Sequence, residues 1–418
     1  MNISFALPLL VTVCGAILLV RLRLFYILHP IKCTRRLLGS LTDRRARASL
    51  TLALAGTLGV GNIFGVAAGI MLGGAGSVLW LVVSSLFSMA IKYSECAVCF
   101  SLPDTERGGM HRVIAATFTK FGRAAARIYA ALCIALALFM GSAVQSNALC
   151  DVATASYGLP PVFCALVLAI FLLFGIVGGA EKIEKITEKL VPLTTVIYIL
   201  LTFGVIFLNI RRLPTVLVSI ISDAFSFRST GGGILAFFSS RALCEGYARG
   251  ILSNEAGTGT SSLAHTRAHG RGPAEAGLAG ICEVFFDTTL LCTLTALAVL
   301  CAVPDPSVFD TPMSLISAAV GTLGSMFSFP LAVSIFIFAY STVICWFYYG
   351  GECVSYLFGN SFRVPFAVVF FAFIFIGALM RAEPLVMLTD AIILPMSALT
   401  LTTVLRRIDD VDHSLCDM

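Results

Sequence analysis

The chain has 418 residues, 58% of them hydrophobic and only 12% charged, with a mean hydropathy of +0.96. Soluble domains carry about 25% charged residues, so this composition excludes a soluble enzyme and a disordered chain alike. The formal net charge of +5 is spread between apolar runs and suits anionic lipid headgroups, not nucleic acid.

Apolar runs long enough to cross a bilayer core recur at approximately 4–20, 50–72, 76–100, 126–156, 161–179, 190–210, 231–263, 274–303, 314–349, 364–381 and 384–405. They predict an all-α polytopic membrane protein with about 11 transmembrane helices and no soluble domain of any size. The first run lacks a basic n-region and a small-residue cleavage site, and reads as a retained span instead of a signal peptide. The segment that follows it, "RLRLFYILHPIKCTRRLL", is basic and amphipathic. It suits the cytoplasmic lipid face, with a solvated basic loop as the alternative.

The second span contains "AGTLGVGNIFGVAAG" at 55–69. Gly61, Gly65 and Gly69 fit the small-xxx-small pattern of close helix packing. Gly59-Val60-Gly61-Asn62 adds two closely spaced glycines and a buried amide, which packing does not require. Glycine costs about 1 kcal/mol against alanine in a helix, so the stretch unwinds readily. Unwound backbone at membrane depth is tolerated where it lines a cavity. Backbone groups at Gly59 and Gly61, near a half-helix N-terminus, suit a substrate carboxylate. Asn62 offers a donor and an acceptor, either to a ligand or to another helix.

Further along, Cys96 and Cys99 form a lone C-x-x-C with no second pair, which does not make a metal site. Glu95 is expected at a solvated cytoplasmic span end, as is Glu352. Gln145 and Asn147 are amides within the fourth span; Gln145 is the better substrate candidate, and interhelical hydrogen bonding is the alternative for both. "EGYARGILSNEAGTGTSSLAH", 245–265, is a second glycine-interrupted stretch. Arg241, Glu245 and Arg249 fall four residues apart and read as a self-neutralising stripe. Asp287 suits a cation, or a pairing with Arg249 or Arg241. Ser341 and Thr342 are adjacent hydroxyls in the ninth span. The five histidines all fall in cytoplasmic segments, and no zinc-protease, nucleophile-elbow or P-loop motif is present, so no enzyme is expected.

Most of the 28 Lys+Arg lie in alternate connections, whereas the opposite ones hold only Arg211, Arg212, Arg228 and Arg381. The positive-inside rule then places the N-terminus outside and the C-terminus in the cytoplasm of a multi-pass cell-membrane protein. Two broken spans, each opening five spans of opposite topology, point to an inverted-repeat transporter with its site between them.

"AGTLGVGNIFGVAAGI", "GYARGILSNEAGTGTSSLAH", "FFDTTLLCTLTAL" and "FAYSTVICWFYYG" resemble the alanine or glycine:cation symporter family, from about Leu9 to Leu405. The resemblance implies a LeuT-like five-plus-five inverted repeat with one extra N-terminal helix. Its parts are 1–49 (leading helix and basic segment), 50–210 and 211–405 (the two repeats) and 406–418 (cytoplasmic tail). It implies symport of a small neutral amino acid, alanine or glycine, driven by sodium or less often protons. The implied substrate residues are Thr57, Gly59, Gly61, Asn62, Gln145, Ser253 and Asn254. Sodium is expected at Thr57, Leu58, Ser341 and Thr342, with Asp287 as a further candidate. The chain departs from the family pattern at Ala75, Met110 and Thr258, and lacks the expected Asn and Pro-Asn in "DAIILPMSALTLT". A proton-coupled carrier of another small solute and a passive channel remain as alternatives.

Overall fold

The computed structural model describes residues 6–103, 108–226, 240–267 and 272–411. Among them every regular element is helical. Helix α1 (Ala6–Arg21) leads into a surface helix α2 (Pro30–Ser40), then α3 (Arg44–Thr57) and α4 (Gly61–Gly73), which meet at a 46° bend. There follow α5 (Ser77–Cys99), α6 (Gly122–Tyr157), α7 (Pro161–Ile176), α8 (Gly179–Leu208), α9 (Arg241–Asn254), α10 (Pro273–Ala302), α11 (Ser328–Phe358), α12 (Arg363–Leu379) and α13 (Ala382–Arg407).

Seven described helices are long and apolar enough to cross a membrane, eight with α3 and α4 taken as one broken span. Helices α1 and α7 are apolar but have 16 residues each, short of the approximately 20 a full span needs. The expected ninth span at 314–349 is two elements. A separate helix, Pro312–Gly321, is capped by Thr311 and Ser314, and α11 begins only at Ser328. Hydropathy cannot separate them because the intervening turn carries Leu323, Met326 and Phe327. Helix α8 starts about ten residues before its apolar run, since Glu181, Lys185 and their neighbours form helix readily.

Helix α5 forms the centre, flanked by α9 and α10. Small residues permit this closeness: a Cβ on Gly277 would lie 2.4 Å from the Tyr93 ring. At the periphery, Phe163, Phe174, Leu200, Phe207 and Val368 point outward. An apolar surface of this extent requires a lipid neighbour.

Among the described residues three stretches widen into π-helix: Gly61–Gly65, Ala137–Val144 and Phe285–Cys292. The first contains Asn62, the second ends beside Gln145 and the third contains Asp287. Such π turns shift the hydrogen-bond ladder by one residue and recur at functional sites. Here each one adjoins a buried polar side chain.

Candidate functional site

The first break is Leu58–Val60. Leu58 N–H makes the last ordinary helical bond, to Leu54 O at 2.7 Å, and the chain then leaves helical geometry at Leu58. Gly59 N–H turns back to Thr57 O at 2.8 Å and also reaches Asn62 Oδ1 at 3.0 Å. Val60 N–H donates to Gln145 Oε1 at 3.1 Å. The freed amides are therefore satisfied by two side chains, as buried backbone requires. Gln145 spends its own amide on Met140 O at 3.2 Å, so it clasps the break from α6. Asn147 does not join this site. It donates to Gly377 O and Met380 O at 3.0 and 2.7 Å, the interhelical role.

The second break runs from the end of α9 to the short helix Ser262–His265. Glu255, Gly257 and Gly259 all have positive φ, at 56, 93 and 73°. Two of the three are glycines, the residue type that tolerates this region. The part of the expected seventh span at 231–239 lies outside the described residues.

Between the breaks sits Asp287, fully buried. Its Oδ1 accepts from Asn62 Nδ2 at 2.5 Å, and its Oδ2 from Ser253 Oγ at 2.7 Å and Thr288 Oγ1 at 2.6 Å. Asn254 Nδ2 donates to Thr288 Oγ1 at 3.0 Å. Asn62, Ser253, Asn254 and Asp287 thus form one network joining both breaks to α10. The alternative that Asp287 pairs with Arg249 or Arg241 is not realised. Arg249 instead holds Glu245 and Asp390, each at 3.3 Å, because α9 turns that side chain toward α4 and α13. The Arg249–Glu245 half of the expected stripe is present.

The two hydroxyls of α11 behave differently. Thr342 Oγ1 crosses to the first break, meeting Ala55 O at 2.9 Å and Leu58 O at 3.4 Å. Ser341 Oγ bonds Phe338 O of its own helix at 3.0 Å. The Thr57 carbonyl is taken by Gly59 N–H, and the Thr57 hydroxyl folds back onto Ala53 O at 3.4 Å. Ala55, not Thr57, therefore presents its carbonyl to Thr342.

The structure also assembles polar groups that the sequence did not bring together. Lys92, Ser261, His265 and Glu283 form a buried chain: Lys92 Nζ to Ser261 Oγ at 2.7 Å and Glu283 Oε1 at 3.3 Å, and His265 Nε2 to Glu283 Oε2 at 3.2 Å. Glu95 joins the second break by accepting Gly259 N–H at 3.1 Å. The expectation of solvation for Glu95 is thereby corrected, and His265 is enclosed likewise. Their span ends are covered by the second break, and both are buried. Glu352 does stay partly exposed, paired with Arg363 at 2.6 Å. His111 is buried as well. Burial, with Arg112 beside it, pushes its imidazole down to about 4, so it stays neutral at physiological pH.

Residues 2–412 match the sodium:alanine symporter family. The chain belongs to that family. A sodium/alanine symporter, AgcS, of Methanococcus maripaludis is 33% identical over 337 residues, 77% of this chain and 74% of that protein. An uncharacterised transporter of Haemophilus influenzae is 28% identical over 92% of this chain and 87% of its own length. The solved structure of MhsT in complex with L-phenylalanine superposes with a TM-score of 0.64 at 13% identity, covering 90% of this chain and 94% of that one. The symporter therefore has a fold of the LeuT-like transporter class. It is a multi-pass membrane-embedded secondary transporter and not an enzyme.

Proposed function

We propose that the symporter imports a small neutral amino acid, alanine or glycine, driven by sodium through alternating access around its two broken helices. The observation that carries this is Thr342 bridging the broken first span at Ala55 O and Leu58 O. Three neutral oxygens, Thr342 Oγ1, Ala55 O and Leu58 O, gather where two elements meet, and Ser341 is the adjacent hydroxyl on α11, held to Phe338 O in this state. Neutral oxygens suit a hard monovalent cation, and half-helix ends recur as sodium sites in this class of architecture. Thr57 then contributes to the shape of the break, with Leu58 supplying its carbonyl. The name of the Methanococcus relative, a sodium/alanine symporter, supports the same reading.

The substrate lies between the breaks, against Gly59, Gly61, Asn62, Gln145, Ser253 and Asn254. Asp287 accepts three hydrogen bonds and has no basic partner in contact among the described residues. A buried carboxylate in that state favours a cation; the α-ammonium of the amino acid, or sodium beside it, supplies one. The carboxylate of the substrate goes to the break backbone near Gly59 and Gly61.

Eleven spans result when α1, α7 and the α9–His265 element are added to the eight. Five-plus-five repeats then occupy 50–210 and 211–405, with the N-terminus outside and the tail in the cytoplasm. Helix α2 lies on the cytoplasmic leaflet against anionic lipid.

Uptake of a labelled amino-acid panel into proteoliposomes tests the reading, with sodium, potassium and proton gradients imposed one at a time. Alanine or glycine should accumulate above equilibrium only with inward sodium. Equilibration without accumulation would make the protein a passive facilitator, and accumulation with protons alone would overturn sodium coupling.

A further inference from the structure

The polar chain at the second break does not belong to the substrate network, and its charges do not balance. Lys92 is buried among three carboxylates, Glu95, Glu255 and Glu283, and all four side chains are essentially inaccessible. Glu283 is well supplied, taking Lys92, Ser261 and His265. Glu95 and Glu255 are each only half satisfied. Glu95 Oε1 takes Gly259 N–H at 3.1 Å, and Glu255 Oε2 takes the Thr260 hydroxyl at 2.6 Å. Glu95 Oε2 and Glu255 Oε1 have no hydrogen-bond partner among the described residues. Close by, the buried Ser397 hydroxyl is also unpartnered, and it lies against Gly257, where a Cβ would come within 3.1 Å of it.

The remaining titratable neighbours bring no positive charge. Asp287 of α10 adds a further negative charge toward Glu255. Cys96 and Cys99 come from α5, Cys133 from α6 and Cys345 and Tyr349 from α11, while Tyr129 of α6 spends its hydroxyl on Thr258 O at 2.9 Å. Lys92 alone, or Lys92 with His265, cannot neutralise three carboxylates. An uncompensated buried ion is costly, so such a cluster takes up a cation. Sodium needs several converging oxygens, whereas one free carboxylate oxygen is enough for a proton. The ammonium of Lys92 already fills the place between Ser261 and Glu283.

We propose that Glu95 and Glu255, set beside the Lys92–Glu283–His265 chain, form a proton-binding site separate from the sodium and substrate sites, which exchanges its proton with the cytoplasmic side. Protonation forms an O–H bond on a free carboxylate oxygen at the expense of a hydronium ion, which becomes water. The route is short. Directly after His265, Thr266 and Arg267 line a cavity of about 860 Å³, walled also by Arg44, Arg112, Glu184 and Tyr348. The proton stabilises the packed break, where Gly259 and Ser261 are tied to Glu95 and Glu283. Its loss leaves excess negative charge that is relieved when the Ser262–His265 end moves toward water. Internal pH therefore sets the conformational step, while sodium sets the gradient that drives transport. Placing the vestibule inside rests on the proposed orientation of the chain.

Two experiments on the full-length protein test this, and the first needs neither transport nor orientation. Infrared spectra of purified protein, unlabelled and labelled with carbon-13 glutamate, should show at neutral pH a protonated carboxyl band that shifts with the label. The label separates glutamate from Asp287. Absence of a glutamic-acid band overturns the proposal, as does a band that persists unchanged in the Glu95→Gln/Glu255→Gln double variant. The second measures alanine uptake by proteoliposomes at saturating sodium, with internal and external pH varied separately between about 6 and 8. Turnover should change about threefold with internal pH alone, and the double variant should be nearly flat. An unaltered pH profile in that variant, or a dependence on external pH only, sinks the proposal. Absent alanine uptake with the infrared band intact would count against the substrate assignment instead.

Discussion

A Cβ on Gly59 would lie 2.6 Å from Thr342 Oγ1 and 3.1 Å from Gln145 Oε1, whereas one on Gly61 would meet Ser253 Cα only at 3.8 Å. Of the two glycines, Gly59 is thus the one held by close approach. Overpacking at such a point costs about 1–3 kcal/mol. Gly59→Ala should therefore raise the sodium concentration for half-maximal uptake roughly 5–150-fold, with Gly61→Ala close to the parent. Gly61→Leu, reaching beyond the Cβ into the α9 backbone, should abolish uptake while leaving membrane expression intact. Equal effects of alanine at both positions would refute this ranking. At the proposed sodium ligands beside it, losing one neutral oxygen should cost on the order of 1–2 kcal/mol, or about 5–30-fold in apparent sodium affinity. Thr342→Ala and Ser341→Ala should each show it, with substrate affinity at saturating sodium changed much less. If both keep the parental sodium dependence, the ion is bound elsewhere. His111, already neutral by burial, should add nothing to the pH profile of transport above about pH 5; His111→Gln checks this.

Among the elements, α2 combines exposed apolar residues with exposed basic ones. Ile31 and Leu38 are 75% and 61% exposed, continuing the line of Leu28, and the exposed Lys32 and Arg35 stand on the same short helix. It follows α1 through the short helix Phe25–Leu28, the order expected of a helix lying at the membrane surface. Arg36 Nη2 holds Glu275 at 2.8 Å, so α2 is tied to the start of α10, the helix that carries Glu283 and Asp287. Each basic residue near an anionic surface is worth about 1 kcal/mol. Uptake should accordingly rise when vesicles of neutral lipid are doped with anionic lipid, and Lys32→Gln/Arg35→Gln should blunt that rise. A response identical to the parent would make α2 a solvated helix.

For the whole molecule, the distribution of Lys and Arg predicts the orientation. A cysteine at Ser40, at the end of α2, should react with an impermeant reagent only after permeabilisation. One at Val308, in the exposed turn after α10, should react in intact cells. The reverse pattern would invert every sidedness statement made above, including the side from which the buried carboxylates exchange protons. Ser414, outside the described residues, offers a second position for the same labelling test, expected to behave as Ser40 does.

The sequence by itself determined the class of protein, because composition and the recurrence of apolar runs depend on the solvent and not on tertiary contacts. It also located both breaks, since closely spaced glycines are costly in a helix wherever it packs. It marked Asn62, Gln145 and Thr342 as polar groups in apolar surroundings, and Ser253 through the family motif. Partnership was another matter. That Asp287 is held by Asn62, Ser253 and Thr288 and not by an arginine depends on which way α9 faces. That Asn147 ties helices while Gln145 clasps the break depends on two residues of helical rotation, about 200°. Only the tertiary structure placed Ala55 in front of Thr342, and only it gathered Lys92, Glu95, Glu255 and Glu283 from three separate segments. Charge pairing across such distances in the chain leaves no periodicity to read, because the contact is made by packing and each partner alone resembles an ordinary polar residue near a span end.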